Sequence, residues 1–290
     1  MNNEWRQRYA RLRGRVELKA EDAQRSTAWY LQGGKKYFET NTEDILNSHI
    51  WCFICGCNNS GTSLLQSMID KSGKTSSFDF EGQRYTNTLV KGSRFGHERV
   101  WTEFLNELRL DSNSSQECVP RLLHDWMGAL PQPIQPIIVE KTTMNAVRMP
   151  WLQNVFPNSY FIGLVRNGYA VTEGILRKGH KSVERGAHHW NCVNKIMLED
   201  SKKIKNYLEV RYEDLVDHPT ETIRTVANFI GLNNNCIDKS ATDKYTFNTV
   251  SGNEAQEIKN FNTECIKRLN ETEIKTIHSA AYEMLEYFGY

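Results

Sequence analysis

The sequence predicts an α/β fold: a mainly parallel central sheet with helices on both faces, P-loop-like at its first turn. Three observations predict it. Ile50-Trp51-Cys52-Phe53-Ile54-Cys55 is a short apolar run ended by Gly56, which suits a strand buried on both faces. The loop Gly56-Cys57-Asn58-Asn59-Ser60-Gly61-Thr62-Ser63 follows, and then Leu64, Leu65, Met68 and Ile69 recur at helical spacing. Later apolar runs, Ile137-Ile138-Val139 and Tyr160 to Val165, each precede a helical pattern, so strands and helices alternate.

The elements read as follows. Residues 1–48 are polar, rich in Arg and Lys, and weakly periodic. They read as a basic N-terminal extension, helical or partly loose, ahead of one domain over 49–290. Such a basic stretch either touches a substrate or partner chain or is a solvated face. Helices are expected near Asn145–Phe156 and Tyr169–Arg177, and a strand from Tyr207 to Tyr212. Pro219 suits the first turn of the next helix, whose apolar face is Ile223, Val226, Ala227 and Ile230 and which Gly231 closes. The last helix has Asn270 as its cap with Glu273 three residues on.

Composition narrows the function classes. The chain has 290 residues, 39% hydrophobic and 24% charged, which is enough apolar material for a substantial core. The formal net charge is +1, so no global field draws it to nucleic acid or an anionic membrane, and any anion must be caught by local groups. No apolar run approaches the ~20 residues of a membrane-spanning helix. Arg6, Arg8, Arg11, Arg13 and Arg15 interrupt any signal-peptide core, so a cytoplasmic location is expected. The cysteines number seven and are scattered, which fits reduced thiols rather than a disulfide framework. Cys52 and Cys55 fall on opposite faces of a strand, so with Cys57 they read as buried thiols and not as a metal cluster. No other cluster has metal-ligand spacing, and a homo-oligomer is left open.

Gly56 and Gly61 have the spacing of a nucleotide phosphate loop. Backbone N–H groups there, with the N-terminus of the next helix, make an anion site. Thr62 stands where a phosphate loop usually has the Lys that reaches the β- and γ-phosphates, which counts against kinase or ATPase chemistry. Arg166 ends a buried strand, where open α/β sheets bind ligands; the bland alternative is a surface ion pair.

These motifs lie in a telling order. Gly-x-x-x-Ser-Gly-Thr-Ser-Leu-Leu (Gly56–Leu65) precedes Phe-Pro-Asn-x-x-Phe-Ile-x-Leu-Val-Arg-Asn-Gly (Phe156–Gly168), and then Val-Arg-Tyr-Glu-Asp-Leu-Val-x-x-Pro-x-Glu-Thr-Ile (Val210–Ile223). Over roughly residues 50–290 this resembles the sulfotransferase superfamily, whose co-substrate is 3′-phosphoadenosine 5′-phosphosulfate (PAPS). The segment around Trp190 and the closing Gly289-Tyr290 are similar too. The resemblance implies that Asn59, Ser60, Gly61, Thr62 and Ser63 cradle the 5′-phosphosulfate. It implies that Arg166 pairs with the 3′-phosphate, where a guanidinium makes bidentate bonds. Tyr212 would lie near the nucleotide, or else be a core aromatic.

Two positions depart from the family. Asn59 stands where a Lys or Arg is usual. Gly174 stands where a Ser is usual, eight residues after the 3′-phosphate Arg, and Thr172 is on the wrong side of the helix to replace it. Lys141, in a Glu-Lys-Thr segment similar to that of protein-tyrosine and carbohydrate sulfotransferases, could neutralise the departing oxygen, or be an ordinary surface Lys. For the base of an in-line displacement the resemblance suggests Glu81 first and Asp79 second. His188 and His189 are a third option beside their structural reading.

The expected function is sulfuryl transfer to a hydroxyl or amine of a small metabolite or natural product, without a metal. A carbohydrate or protein tyrosine is the alternative acceptor. A P-loop small-molecule kinase and a non-catalytic nucleotide-binding protein are the alternative functions. The acceptor pocket is expected in loops 78–130 and 233–262.

Overall fold

Strand β1 (Ile50–Gly56) takes the middle place of a five-stranded sheet in this computed structural model. On one side lie β3 (Ile137–Lys141) and then β2 (Thr75–Ser77). On the other lie β4 (Ser159–Val165) and then β5 (Tyr207–Arg211). Every pairing is parallel, so all five C-terminal ends reach one edge. The chain leaves β1 toward β2 and β3 and later crosses to β4. The strand order therefore reverses at β1, and the crevice at such a point is where open α/β sheets bind ligands. The structure describes residue 20 and residues 23–96, 99–179, 182–233, 244–249 and 252–290.

Alternation along β1 builds two cores. Trp51, Phe53 and Cys55 face one; Cys52 and Ile54 face the other, so the thiols separate as their odd spacing predicts. The first core is roofed by α1 (Gly34–Asn47), α4 (Val119–Met127), α5 (Met149–Val155), α6 (Gly168–Gly179), α7 (Val183–Ser201) and α11 (Glu271–Phe288), with the single turn α3 (Leu105–Leu108) at its rim. The second core is covered by α2 (Thr62–Asp70), α8 (Tyr212–Asp217) and α9 (Pro219–Phe229). A hairpin of β6 (Lys244–Thr249) and β7 (Gly252–Glu257) and the short α10 (Asn262–Ile266) lie between α9 and α11.

The helix boundaries follow the chemistry read from the sequence. Asn270 and Glu273 form a full capping box at the start of α11, and Gly289 closes it in the left-handed region. Pro219 opens α9. Residues 145–156 are helical in two pieces: a 3-10 turn over Thr143–Val147, then α5. Pro150 lacks an N–H and so belongs in the first turn of a helix, which makes the chain restart at Met149. Tyr212 opens α8 instead of ending β5.

The helical part of the expected N-terminal extension packs on the domain. Leu46, Phe38 and Ile45 join the first core, and the Phe38 ring meets His124 of α4 with centroids 5.3 Å apart. Arg6 to Arg15 and much of the expected acceptor loop 233–262 lie outside the described residues. Among those described, no helix is long and apolar enough to cross a membrane.

Candidate active site

The loop after β1 is a tight turn closed by the Ser60 N–H on the Cys57 carbonyl at 3.2 Å. Two of its residues need glycine. A Cβ on Gly56 would meet the Leu164 carbonyl oxygen at 2.7 Å, and one on Gly61 would meet Tyr212 Cδ2 at the same distance. Gly61 also has φ 96. As the N-cap of α2 it offers no side chain, so the first N–H groups of that helix keep no capping acceptor. Asn58 is pinned from outside by Trp101, whose Nε1 donates to Oδ1 at 3.0 Å.

Within this loop the Ser60 hydroxyl and the Asn59 side-chain nitrogen are buried with no partner among the described residues. Unpaired buried polar groups are costly, and bound anionic oxygens would satisfy each of them. The donor set therefore fits a phosphosulfate.

Arg166 reaches the same loop from β4. It is buried; its Nη1 donates to the Asn59 carbonyl at 2.8 Å and its Nε to Asn262 Oδ1 at 2.8 Å. The guanidinium carbon lies 4.1 Å from the Tyr212 ring centroid. Among the described residues no carboxylate pairs with it, so the surface ion-pair reading is excluded. Its backbone is held by Trp190, whose Nε1 donates to the Arg166 carbonyl at 3.0 Å. Glu213 fixes the next residues: it accepts from the Asn167 N–H at 3.0 Å, from Asn262 Nδ2 at 2.6 Å and from the Tyr290 hydroxyl at 2.9 Å. Tyr212 is thus both buried and part of the site, since it clamps Gly61 and Arg166 together.

Two cations missed in the sequence converge on Asn59. Arg99 Nη1 lies 3.5 Å and Lys178 Nζ 3.4 Å from its Oδ1. The Lys178 side chain as a whole is exposed. Desolvation of its ammonium, with the charges of Arg99, Arg177 and Arg166, nevertheless holds its pKa below the usual lysine value. A polyanion between these cations would relieve that crowding. Lys178 was legible in principle, because it sits four residues after Gly174 on the same helix face. Arg99 lies in a segment without periodicity and gave no signal.

Toward the other side of the edge, Lys141 ends β3 and pairs in register with Ile54 of β1. Glu81 follows β2 and accepts from Gln83 Nε2 at 2.7 Å and from Thr143 Oγ1 at 3.5 Å, two residues past Lys141. The segment is anchored to the phosphate-loop helix by Gln66, whose Nε2 donates to the Phe78 carbonyl at 2.8 Å. Gly82 is gripped on both sides: its N–H donates to Glu140 Oε1 at 2.7 Å and its carbonyl accepts from Trp126 Nε1 at 3.1 Å. Burial pushes the Glu140 carboxyl up, against the opposing bonds from Thr142, Asn145 and Gly82. Asp79 is exposed. His189 is buried against Trp101 and bonds Thr102 through Nδ1 at 2.8 Å, which is a structural role. Thr172 is buried and a Cβ on Gly186 of α7 would meet its methyl group, so it stays away from Asn59. Among the described residues no three His, Cys, Asp or Glu side chains are grouped to hold a metal ion.

A parallel sheet with a phosphate-type loop at its switch point, joined to a buried Arg from the neighbouring strand, defines an α/β protein with hydrogen-bond donors gathered at that crevice. A family model described as "Sulfotransferase family" matches residues 52–235, and the chain belongs to that family. A putative protein-tyrosine sulfotransferase of Caenorhabditis briggsae is 22% identical over 189 residues, 62% of this chain and 65% of that protein. Protein-tyrosine sulfotransferase A of Caenorhabditis elegans is 24% identical over 106 residues, 33% of this chain and 28% of that protein. The similarity thus spans less than two thirds of either relative. The sulfotransferase domain of a Synechococcus olefin synthase has the same fold, with TM-score 0.51 and 20% identity, over 81% of this chain and 95% of that one. So does sulfotransferase STF9 of Mycobacterium avium, with TM-score 0.52 and 10% identity, over 88% and 81%.

Proposed function

We propose that this chain is a sulfotransferase that uses PAPS and acts on a hydroxyl or amine. The observation that carries the reading is the 2.8 Å bond between Arg166 and the main chain of Asn59. It joins a phosphate loop without a Lys to a buried cation that has no carboxylate partner among the described residues, which suits a nucleotide with anions at both its 5′ and 3′ positions. When bound, PAPS supplies an activated sulfuryl group whose leaving group is adenosine 3′,5′-bisphosphate.

The residues divide the work. The loop N–H groups and the Ser60 hydroxyl hold the 5′ side, and Arg166 with Lys178 holds the 3′-phosphate. Tyr212 keeps Arg166 in place. Lys141 offsets charge on the departing oxygen. Glu81 takes the proton from the acceptor as its oxygen or nitrogen attacks in line. A small molecule is one acceptor class. A tyrosine hydroxyl is the second, favoured by the names of the two nematode relatives.

Sulfur-labelled PAPS, offered with separate pools of small phenols and alcohols, carbohydrates and tyrosine peptides, tests this. Label should pass to one pool and fail to do so with Arg166→Ala. Transfer from γ-labelled ATP, with none from PAPS, would make the protein a kinase.

A further inference from the structure

The Asn59 amide has a fixed orientation. Arg99 and Lys178 both donate toward Oδ1. Neither can donate to an amide nitrogen, so the oxygen must face them and Nδ2 must turn away. Turned this way, Nδ2 is buried and has no partner among the described residues.

Its neighbour on that side is Gly174 of α6. A Cβ built on Gly174 would lie 3.2 Å from both Cγ and Nδ2 of Asn59. The two positions where this chain departs from the family pattern are therefore in contact. The backbone of Asn59 is left-handed, with φ 65, a conformation that Asn accepts better than Lys or Arg. Its carbonyl is held by Arg166. Gly174 and Lys178 lie one helical turn apart on α6, which starts just after Arg166. The unpaired N–H group thus lies against the Gly174 turn of α6, the helix that starts just after Arg166. The Ser60 hydroxyl remains for the 5′ side.

The geometry points to Asn59 Nδ2 as a donor to the 3′-phosphate. In this role the amide replaces a side chain at position 174, and Gly174 is glycine because the amide fills that space. The inference rests on the PAPS reading proposed above, and it turns the two family departures into one compensated pair. A neutral donor here leaves the positive charge to Arg99, Arg166 and Lys178.

Calorimetry with adenosine 3′,5′-bisphosphate and adenosine 5′-phosphate tests it. Asn59→Gly keeps the left-handed backbone and removes the amide. It should weaken the bisphosphate on the order of tenfold or more, the worth of a bond to a charged group. The monophosphate should change by less than about threefold, since it lacks the 3′ group. Adding Gly174→Ser to this variant places a hydroxyl donor in the vacated space and should restore most of the lost affinity. Gly174→Ser alone should weaken the bisphosphate by crowding Asn59. Thermal melts check that each variant is folded. Equal losses for the two nucleotides, no loss, or no rescue by the serine would overturn the assignment. The wild-type chain separates this inference from its basis. Failure of the wild type to prefer the bisphosphate over the monophosphate sinks the PAPS reading itself. Preference in the wild type with an unchanged Asn59→Gly sinks only the role of Asn59.

Discussion

Arg166 and Tyr212 form a stacked pair, with the guanidinium carbon 4.1 Å from the ring centroid. The ring is also held by its hydroxyl, which donates to the Lys259 carbonyl at 3.1 Å. Tyr212→Phe keeps the stacking and loses that bond; Tyr212→Leu loses both. Cation–π contacts of this kind contribute about 0.5–2 kcal/mol. Bisphosphate affinity should therefore fall little in the Phe variant and about twofold to thirtyfold in the Leu variant, as read by calorimetry. Equal losses would mean that the ring does not position Arg166.

Gly61 touches the same ring. Gly61→Ala meets both a left-handed backbone, which costs a β-carbon about 1–2 kcal/mol, and the 2.7 Å approach to Tyr212. Gly73 has φ 63 and open space around it, so Gly73→Ala carries the backbone cost alone. Denaturant midpoints should place Gly61→Ala clearly below Gly73→Ala. Bisphosphate binding should be impaired only in the former.

Glu81→Gln should abolish turnover while bisphosphate affinity stays within about twofold, since the base does not hold the nucleotide. Asp79→Asn should remain active. If Glu81→Gln turns over normally, the base lies elsewhere. Gly82→Ala probes the support: a Cβ there would lie 2.7 Å from Glu140, so the turn carrying Glu81 must shift. We expect kcat to fall by about tenfold or more with little change in donor binding, because small displacements of a catalytic group are costly.

His189 gives the fold a pH dependence. Burial drives its pKa down from 6.5 to about 3. The unfolded chain therefore binds a proton that the folded chain refuses between those values. Its contribution to stability is full above pH 6.5 and is lost as pH falls toward 3, at about 1.4 kcal/mol per pH unit. His189→Phe removes the effect. Urea unfolding at pH 7 and pH 5 should show the wild type losing about 2 kcal/mol more than the variant. Parallel pH dependences would show that His189 does not titrate in this way.

Much of this was legible in the sequence because it rests on local chemistry. The β1 run, the glycines of the loop, Pro219 and the Asn270–Glu273 box each dictate backbone geometry by themselves. Arg166 was legible because it ends an apolar strand. The contacts that assemble the site were not. Arg99 and Asn59 are 40 positions apart in sequence, and no periodicity links them. The Asn59–Gly174 contact looked like two separate losses, because only the packing of α6 over the loop brings them together. Glu140 reads as one more strand residue until Gly82 is seen against its carboxylate. The role of Glu213 in holding Asn167, Asn262 and Tyr290 depends in the same way on tertiary placement.

The most direct measurement of the central claim is calorimetric titration of the wild-type chain with adenosine 3′,5′-bisphosphate and, separately, with ATP and Mg²⁺. A loop without a Lys at Thr62, joined to an Arg166 that has no carboxylate partner among the described residues, predicts tight binding of the bisphosphate and weak binding of ATP. Preference for ATP with Mg²⁺ would contradict the account.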